Sequence, residues 1–262
     1  RRVARAGFSP SLNFTLWHSN PDGGAVFQSD DGGWVYVSNS ESTPGGVGAL
    51  RFDANGSITD NYRILKDTRN NCAGGATPWQ TWLSCEEVSD GQVYECDPFG
   101  SADDAVARPA LGIFNHEAVA VDLPTRTLYL TEDSGSGRLY RFTSVGAKTS
   151  INGKEGLDLD NGLLEVLEIE GFEAGGYQED LDVARKLHKV KWVAVQSPER
   201  TQAEVRSEIE ATGVGAPGTV FKGGEGIWTQ EFPEGQRQTV DGSDHPLRAV
   251  IFFACKGDNR VY

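Results

Sequence analysis

Residues 71–87 read N-C-A-G-G-A-T-P-W-Q-T-W-L-S-C-E-E, and residues 115–133, N-H-E-A-V-A-V-D-L-P-T-R-T-L-Y-L-T-E-D, repeat that layout. Overlaid by residue type, Cys72 falls on Glu117, residues 82–84 fall on 128–130, and Glu87 falls on Glu132. A related unit stands upstream, where W-H-S-N-P-D-G-G-A-V-F leads through a Ser-Asp-Asp-Gly-Gly turn to W-V-Y-V-S-N-S-E and then G-A-L-R-F-D. Tyr36, Trp82 and Tyr129 take the same place in the three units, at intervals of 46 and 47 residues. A repeat constrains a fold more than composition does, since each copy must bury its apolar face against the next.

Within each unit short apolar runs end at Gly, Asp, Asn or Pro, the pattern of an antiparallel meander rather than of helices. Three runs are followed by a turn at Asn55-Gly56 and a fourth over residues 57–65. A period of roughly 40 to 50 residues with about four strands per unit is that of a β-propeller, each unit a blade. An unrelated meander or a sandwich with regular turns would space its strands alike, and spacing alone leaves that alternative open.

The period lapses after Ser144, and residues 145–215 read as a partly helical insertion between blades. Residues 178–191 mix acids, bases and apolar residues at helical spacing, 192–195 suit an embedded strand, and Ser197-Pro198 starts a helix reaching about Thr212, with Ser197 as its N-cap. The pattern resumes at F-K-G-G-E-G-I-W, where Glu225 stands as Glu117 does, and K-G-D-N precedes a last strand opening at Arg260. Residues 1–262 are thus expected to form a single all-β propeller domain, incomplete within this chain because a propeller closes its ring to remove sheet edges.

A formal net charge of −14 excludes a nucleic-acid partner, which clustered Lys and Arg would hold. No apolar run reaches the ~20 residues of a membrane helix, and the Arg1-Arg2 start is not an intact signal peptide. Cys72, Cys85, Cys96 and Cys255 lack the C-x-x-C spacing of zinc or redox sites.

In a propeller the innermost strands line a channel, and equivalent positions converge at one end of it. Cys72, Glu117 and Glu225 would then face one another, with Glu41, Glu87, Glu132 and Asp258 as further or surrounding ligands. So many like charges call for a multivalent cation. A thiolate suits a transition metal such as iron; carboxylates suit calcium or magnesium. A small buried Cys72 under a tight Gly-Gly strand is the plain alternative. Of Glu86 and Glu87 only one can face the channel, since strand neighbours point to opposite sides, and Glu87 is the choice. Asn39, Lys222, Lys256 and Arg260 are candidate phosphate-binding groups near the same end; His116, His18 and Asp22 carry less of the pattern.

At these residues the sequence resembles the PhoX family of secreted alkaline phosphatases, through W-V-Y-V-S-N-S-E, G-A-L-R-F-D, N-C-A-G-G-A-T-P-W-Q-T-W-L-S-C-E-E, R-P-A-L-G-I-F-N-H-E-A-V-A-V-D, L-Y-L-T-E-D, G-R-L-Y-R-F, G-G-E-G-I-W and K-G-D-N-R-V. The resemblance implies a six-bladed propeller, an iron and calcium cluster in its channel, hydrolysis of small phosphate esters, and export to the periplasm or exterior, or else to an organelle lumen. Carried over, it implies Cys72 as the iron-bound thiolate, Glu87 as a cluster carboxylate, and Glu117 and Glu225 as further ligands. The other reading is a non-catalytic binding or assembly module, with or without structural calcium, that docks a protein through its acidic surface or residues 172–213.

Overall fold

The computed structural model describes residues 3–11, 15–173, 188–239 and 246–262. Its strands form four principal antiparallel sheets. Blade one contains β1 (Pro21–Gln28), β2 (Trp34–Ser40), β3 (Gly46–Phe52) and β4 (Ile58–Lys66) in that order. Blade two contains β5 (Asn71–Ala76), β6 (Trp82–Glu86), β7 (Val93–Cys96) and the short β8 (Val106–Ala107).

Blade three runs from β9 (His116–Asp122) through β10 (Thr127–Glu132) and β11 (Leu139–Ser144). A small hairpin of β12 (Ala147–Thr149) and β13 (Glu155–Leu157) intervenes, and β14 (Gly162–Ile169) and β15 (Val190–Ala194) then complete the same sheet. Helix α1 (Gln202–Ala211) follows. Blade four contains β16 (Gly224–Glu231), β17 (Ala249–Cys255) and β18 (Arg260–Val261). The architecture is the expected all-β propeller, and the sheets do not close into a ring among the described residues.

Alternation along the strands buries both faces of a blade, because successive side chains point to opposite sides. Val35, Val37, Val47 and Ile64 of blade one meet Trp82 and Cys96 of blade two. Leu83, Cys85 and Val93, on the other face of blade two, meet Leu128, Leu130, Tyr140 and Phe142 of blade three. Leu139, Leu167 and Ile169 then meet Phe221, Phe253 and Cys255. All four cysteines are free and buried, three of them within these interfaces.

The innermost strands touch in the order β1, β5, β9, β16. Their backbones come so close that two glycines are obligatory. A Cβ at Gly23 would lie 2.6 Å from Ala73 Cα, and one at Gly75 would lie 2.0 Å from Val119 O. The Gly-Gly pairs of the repeat thus serve strand-to-strand contact across the axis. A cleft of about 500 Å³ is lined by these four strands, with Trp82 and Trp228 at its wall.

The stretch expected as an insertion supplies two strands to blade three and one helix. The helix starts later than its Pro signal predicts: Thr201 is the N-cap, while Ser197 has a φ of 45° in the preceding turn. Of the helical spacing at 178–191, residues 178–187 lie outside the described residues, and Val190 and Lys191 belong to β15. The helix is fastened by Arg206, whose guanidinium makes bonds of 2.7 and 3.1 Å to the buried Glu132 carboxylate and also donates to Tyr140 Oη. No described helix is long and apolar enough to cross a membrane.

Candidate metal centre

Each innermost strand carries a register shift at the same place. The pairing skips between Pro21 and Gly24, Asn71 and Gly74, His116 and Val119, and Gly224 and Ile227. A bulge re-aims a side chain, and the first residue inside each bulge is Asp22, Cys72, Glu117 or Glu225. Four blades thus point a metal-capable group from one equivalent position.

A second set comes from the ends of the adjoining strands. The amides of Glu41, Glu87, Asp133 and Lys256 donate to the carbonyls of Asn20, Asn70, Asn115 and Gly223, each two residues ahead of a bulge residue. Asn20, Asn70 and Gly223 have left-handed φ values of 42°, 42° and 68°, which Asn and Gly accept most easily. This repeated clasp brings Glu41, Glu87, Asp133 and Lys256 beside the bulge residues.

Glu41 and Glu87 reach the bulge residue of their own blade and of the next, and Lys256 reaches that of its own. Asp22, Glu41 and Cys72 offer ligand atoms within 4.8 Å of one another, and so do Cys72, Glu87 and Glu117. The Cys72 thiol donates to Glu117 Oε1 at 3.3 Å. Lys256 places its ammonium 2.8 Å from Glu225 Oε1 and against Asp133 Oδ2.

The electrostatics record crowded anions. Burial, with the charges of Glu225, Glu87 and Asp133 adding to it, pushes the Glu117 carboxyl up to about 8 against the pull of the Cys72 thiol. Burial and then the Asp133 carboxylate push Glu87 well above the usual carboxylate range, and Lys256 opposes them. Burial followed by Glu117 raises the Cys72 thiol strongly. Such a cluster holds protons it would surrender to a multivalent cation, and a thiol among carboxylates has donors for both a soft and a hard ion. The residues fit a metal centre.

Three expected site residues stand elsewhere. Glu132 faces away from Cys72 and spends its carboxylate on Arg206, Tyr140 Oη and the Arg138 amide. The reason is one residue of hairpin length: β5 and β6 are joined by residues 77–81, whereas β9 and β10 are longer strands joined by 123–126. The strand-end acid of blade two, Glu86, is therefore equivalent to Glu132, and Glu87 to Asp133. A one-residue slip exchanges the two faces of a strand. Glu86 and Glu132 even share a task, accepting the amides of Gln92 and Arg138 six residues on.

Asp258 lies two residues past the equivalent position, which Lys256 holds, and accepts from Tyr262 Oη at 2.5 Å with Arg260 3.6 Å away. Asn39 is fully buried and cannot meet a phosphate. Its amide nitrogen donates to Cys72 O at 2.7 Å and to Ala73 O, and its oxygen accepts from Trp82 Nε1 and Ser84 Oγ. Asn39 thus holds the backbone on which Cys72 is presented. Of the other expected anion-binding groups, Arg260 lines an open cleft with Glu225 and Lys256, and Lys222 accepts the Gly257 amide through its carbonyl beside them.

His116 is buried against Phe114 with Nε2 3.0 Å from Gly112 O, and burial lowers it to about 4. His18 is likewise lowered to about 4, chiefly by burial, and contacts Ser38 Oγ. Neither joins the cluster. The sequence singles out Lys256 only as a candidate phosphate-binding group, gives Asp133 no role in the site, and marks Asp22 more weakly than its place in the bulge warrants. A signal for Asp22 was present: Asn or Gly stands two residues before each bulge residue, in N-P-D, N-N-C, N-H-E and G-G-E.

Fold and site together define a β-propeller whose axial mouth carries a thiol and a crowd of carboxylates from successive blades. The model of the family Alkaline phosphatase PhoX matches residues 44–93 and 89–240. The chain belongs to that family. Among solved structures, Pseudomonas fluorescens PhoX in complex with vanadate, a transition state analogue, is similar with a TM-score of 0.63 at 17% identity, over 98% of this chain and 69% of that one. At that identity the likeness shows the fold. Comparison with curated proteins gives no match.

Proposed function

We propose that the chain is a metal-dependent phosphomonoesterase that hydrolyses small phosphate esters at the mouth of its propeller channel. The observation that carries this reading is the convergence of Cys72 and Glu87 from blade two and Glu117 from blade three to within 4.8 Å, in a member of a phosphatase family. Cys72, Glu87 and Glu117 would hold iron through the thiolate; Asp22 and Glu41, beside Cys72, would hold calcium through carboxylate oxygens. Glu225 stands at the same ring position and meets Lys256.

When bound, the metals would neutralise phosphoryl charge and make a Ser, Thr or Cys nucleophile unnecessary. The chain's own residues position and exclude. Asn39 and the Gly74–Gly75 backbone hold Cys72 in the channel wall. Arg260, at the cleft beside Glu225, would bind the ester's anionic oxygens, with Lys222 as a second cation at that edge. Hydrolysis of esters outside the cytoplasm accords with the exported character of the family.

The test is a paired measurement on purified protein prepared without chelators. Wild type should contain iron and calcium and hydrolyse an aryl phosphate; Cys72→Ala with Glu87→Ala should lose the iron and at least about 100-fold in kcat/KM. Undiminished hydrolysis by the double variant sinks the phosphatase reading. Metal retained without turnover in the wild type would leave a binding module.

A further inference from the structure

Continued around the axis, the repeat implies three cation positions, and the third differs in kind from the first two. Each position lies among one bulge residue, the strand-end residue of its blade, and the bulge residue of the next blade. The first is Asp22–Glu41–Cys72 and the second is Cys72–Glu87–Glu117, both drawn together within 4.8 Å. By the same rule the third is Glu117–Asp133–Glu225. Among the described residues this third set is not drawn together in that way. Instead the Lys256 ammonium lies against Asp133 Oδ2 and 2.8 Å from Glu225 Oε1.

Lys256 arrives there by the clasp that delivers the carboxylates of the other blades. Its amide donates to Gly223 O at 2.9 Å, as those of Glu41, Glu87 and Asp133 donate to Asn20, Asn70 and Asn115. Blade four therefore supplies a positive charge where the other three supply a negative one. That charge sits between two carboxylates that also repel Glu117.

We infer that Lys256 is a tethered cation occupying the third position of the repeat, so that Asp133 and Glu225 bind an ammonium where the first two positions are built for metal ions. The inference rests on the metal-centre reading for the first two positions and adds a specific count: this chain takes one divalent ion fewer than its repeat geometry allows. A lysine brings its charge permanently and without a chelator-sensitive equilibrium. Its single charge also leaves the set more negative than a divalent ion would.

Chelator-stripped wild type, Lys256→Gln and Lys256→Arg are dialysed to saturation against Ca²⁺ alone, and bound calcium is counted per folded chain by atomic emission. Lys256→Gln is expected to hold about one Ca²⁺ more than wild type, and Lys256→Arg the wild-type number. Equal, non-zero counts in wild type and Lys256→Gln overturn the inference while leaving the metal centre intact. A wild type that takes no calcium beside a Lys256→Gln that takes one sinks the metal centre and supports the lysine; two zeros sink both. Should Lys256→Gln not fold, Glu225→Gln decides. It retains the wild-type count if its carboxylate partners a lysine, and loss of a calcium overturns the inference.

Discussion

Without metal Glu117 should act as a proton trap, and that has a measurable cost. Its carboxyl is 4% exposed and raised from an ordinary 4.5 to about 8, first by burial and then by neighbouring acids. In the unfolded chain the same group ionises near 4.5. Between those values the metal-free folded state holds a proton that the unfolded state has released, so stability falls as pH rises through the window. At about 1.4 kcal/mol per unit of displacement, the full excursion is on the order of 4 kcal/mol. With roughly 2–4 °C of Tm per kcal/mol for a chain of this size, the loss is on the order of 10 °C between pH 5 and 8. Glu87, raised in the same direction, adds to it.

The assay is thermal unfolding in a chelator across that range, on wild type and Glu117→Gln. The amide cannot ionise but can still accept the Cys72 thiol, so the variant should lose at least half of the slope. Saturating Ca²⁺ should flatten the wild-type curve by stabilising the ionised folded form. A metal-free wild type equally stable at pH 5 and 8, or a Glu117→Gln with the wild-type slope, would refute the claim that Glu117 is kept protonated by burial and crowding.

Arg206→Met should cost roughly 3–5 kcal/mol in denaturant unfolding, because it strands a buried Glu132 carboxylate, and adding Glu132→Gln should recover much of that loss. Additive losses in the double variant would show that the pair is not coupled. Gly75→Ala should destabilise by more than about 4 kcal/mol or prevent folding, since its Cβ would lie 2.0 Å from Val119 O. Gly135→Ala, which meets nothing within 4 Å, should change stability by no more than about 0.5 kcal/mol, and equal effects at the two glycines would contradict the close approach of the inner strands.

The propeller was legible because its signals are short-range and repeated. Alternating apolar runs, Gly and Asn turns and a recurring unit each act within about fifty residues, and all agree with one blade geometry. The equivalent placement of Cys72, Glu117 and Glu225 was legible for the same reason, since the overlay of inner strands needs no gap before the bulge. Glu132 and Asp258 were misjudged beyond it, where hairpin lengths differ. Asn39 was misjudged because its chemistry suits either a phosphate or a buried backbone, and only its surroundings decide.

From the residues alone came the blade, its order along the chain, and the metal-capable character of the first ring. The face taken by each strand-end acid was settled only by tertiary structure, because a one-residue change in hairpin length exchanges the faces of the strand end while leaving its composition intact. So was the partnership of Lys256 with Asp133 and Glu225, which lie far apart along the chain and meet only where β9, β10, β16 and β17 come together. Local pattern determines which side chains a strand carries. Their meeting at the axis depends on registers and bulges fixed by packing of one blade on the next.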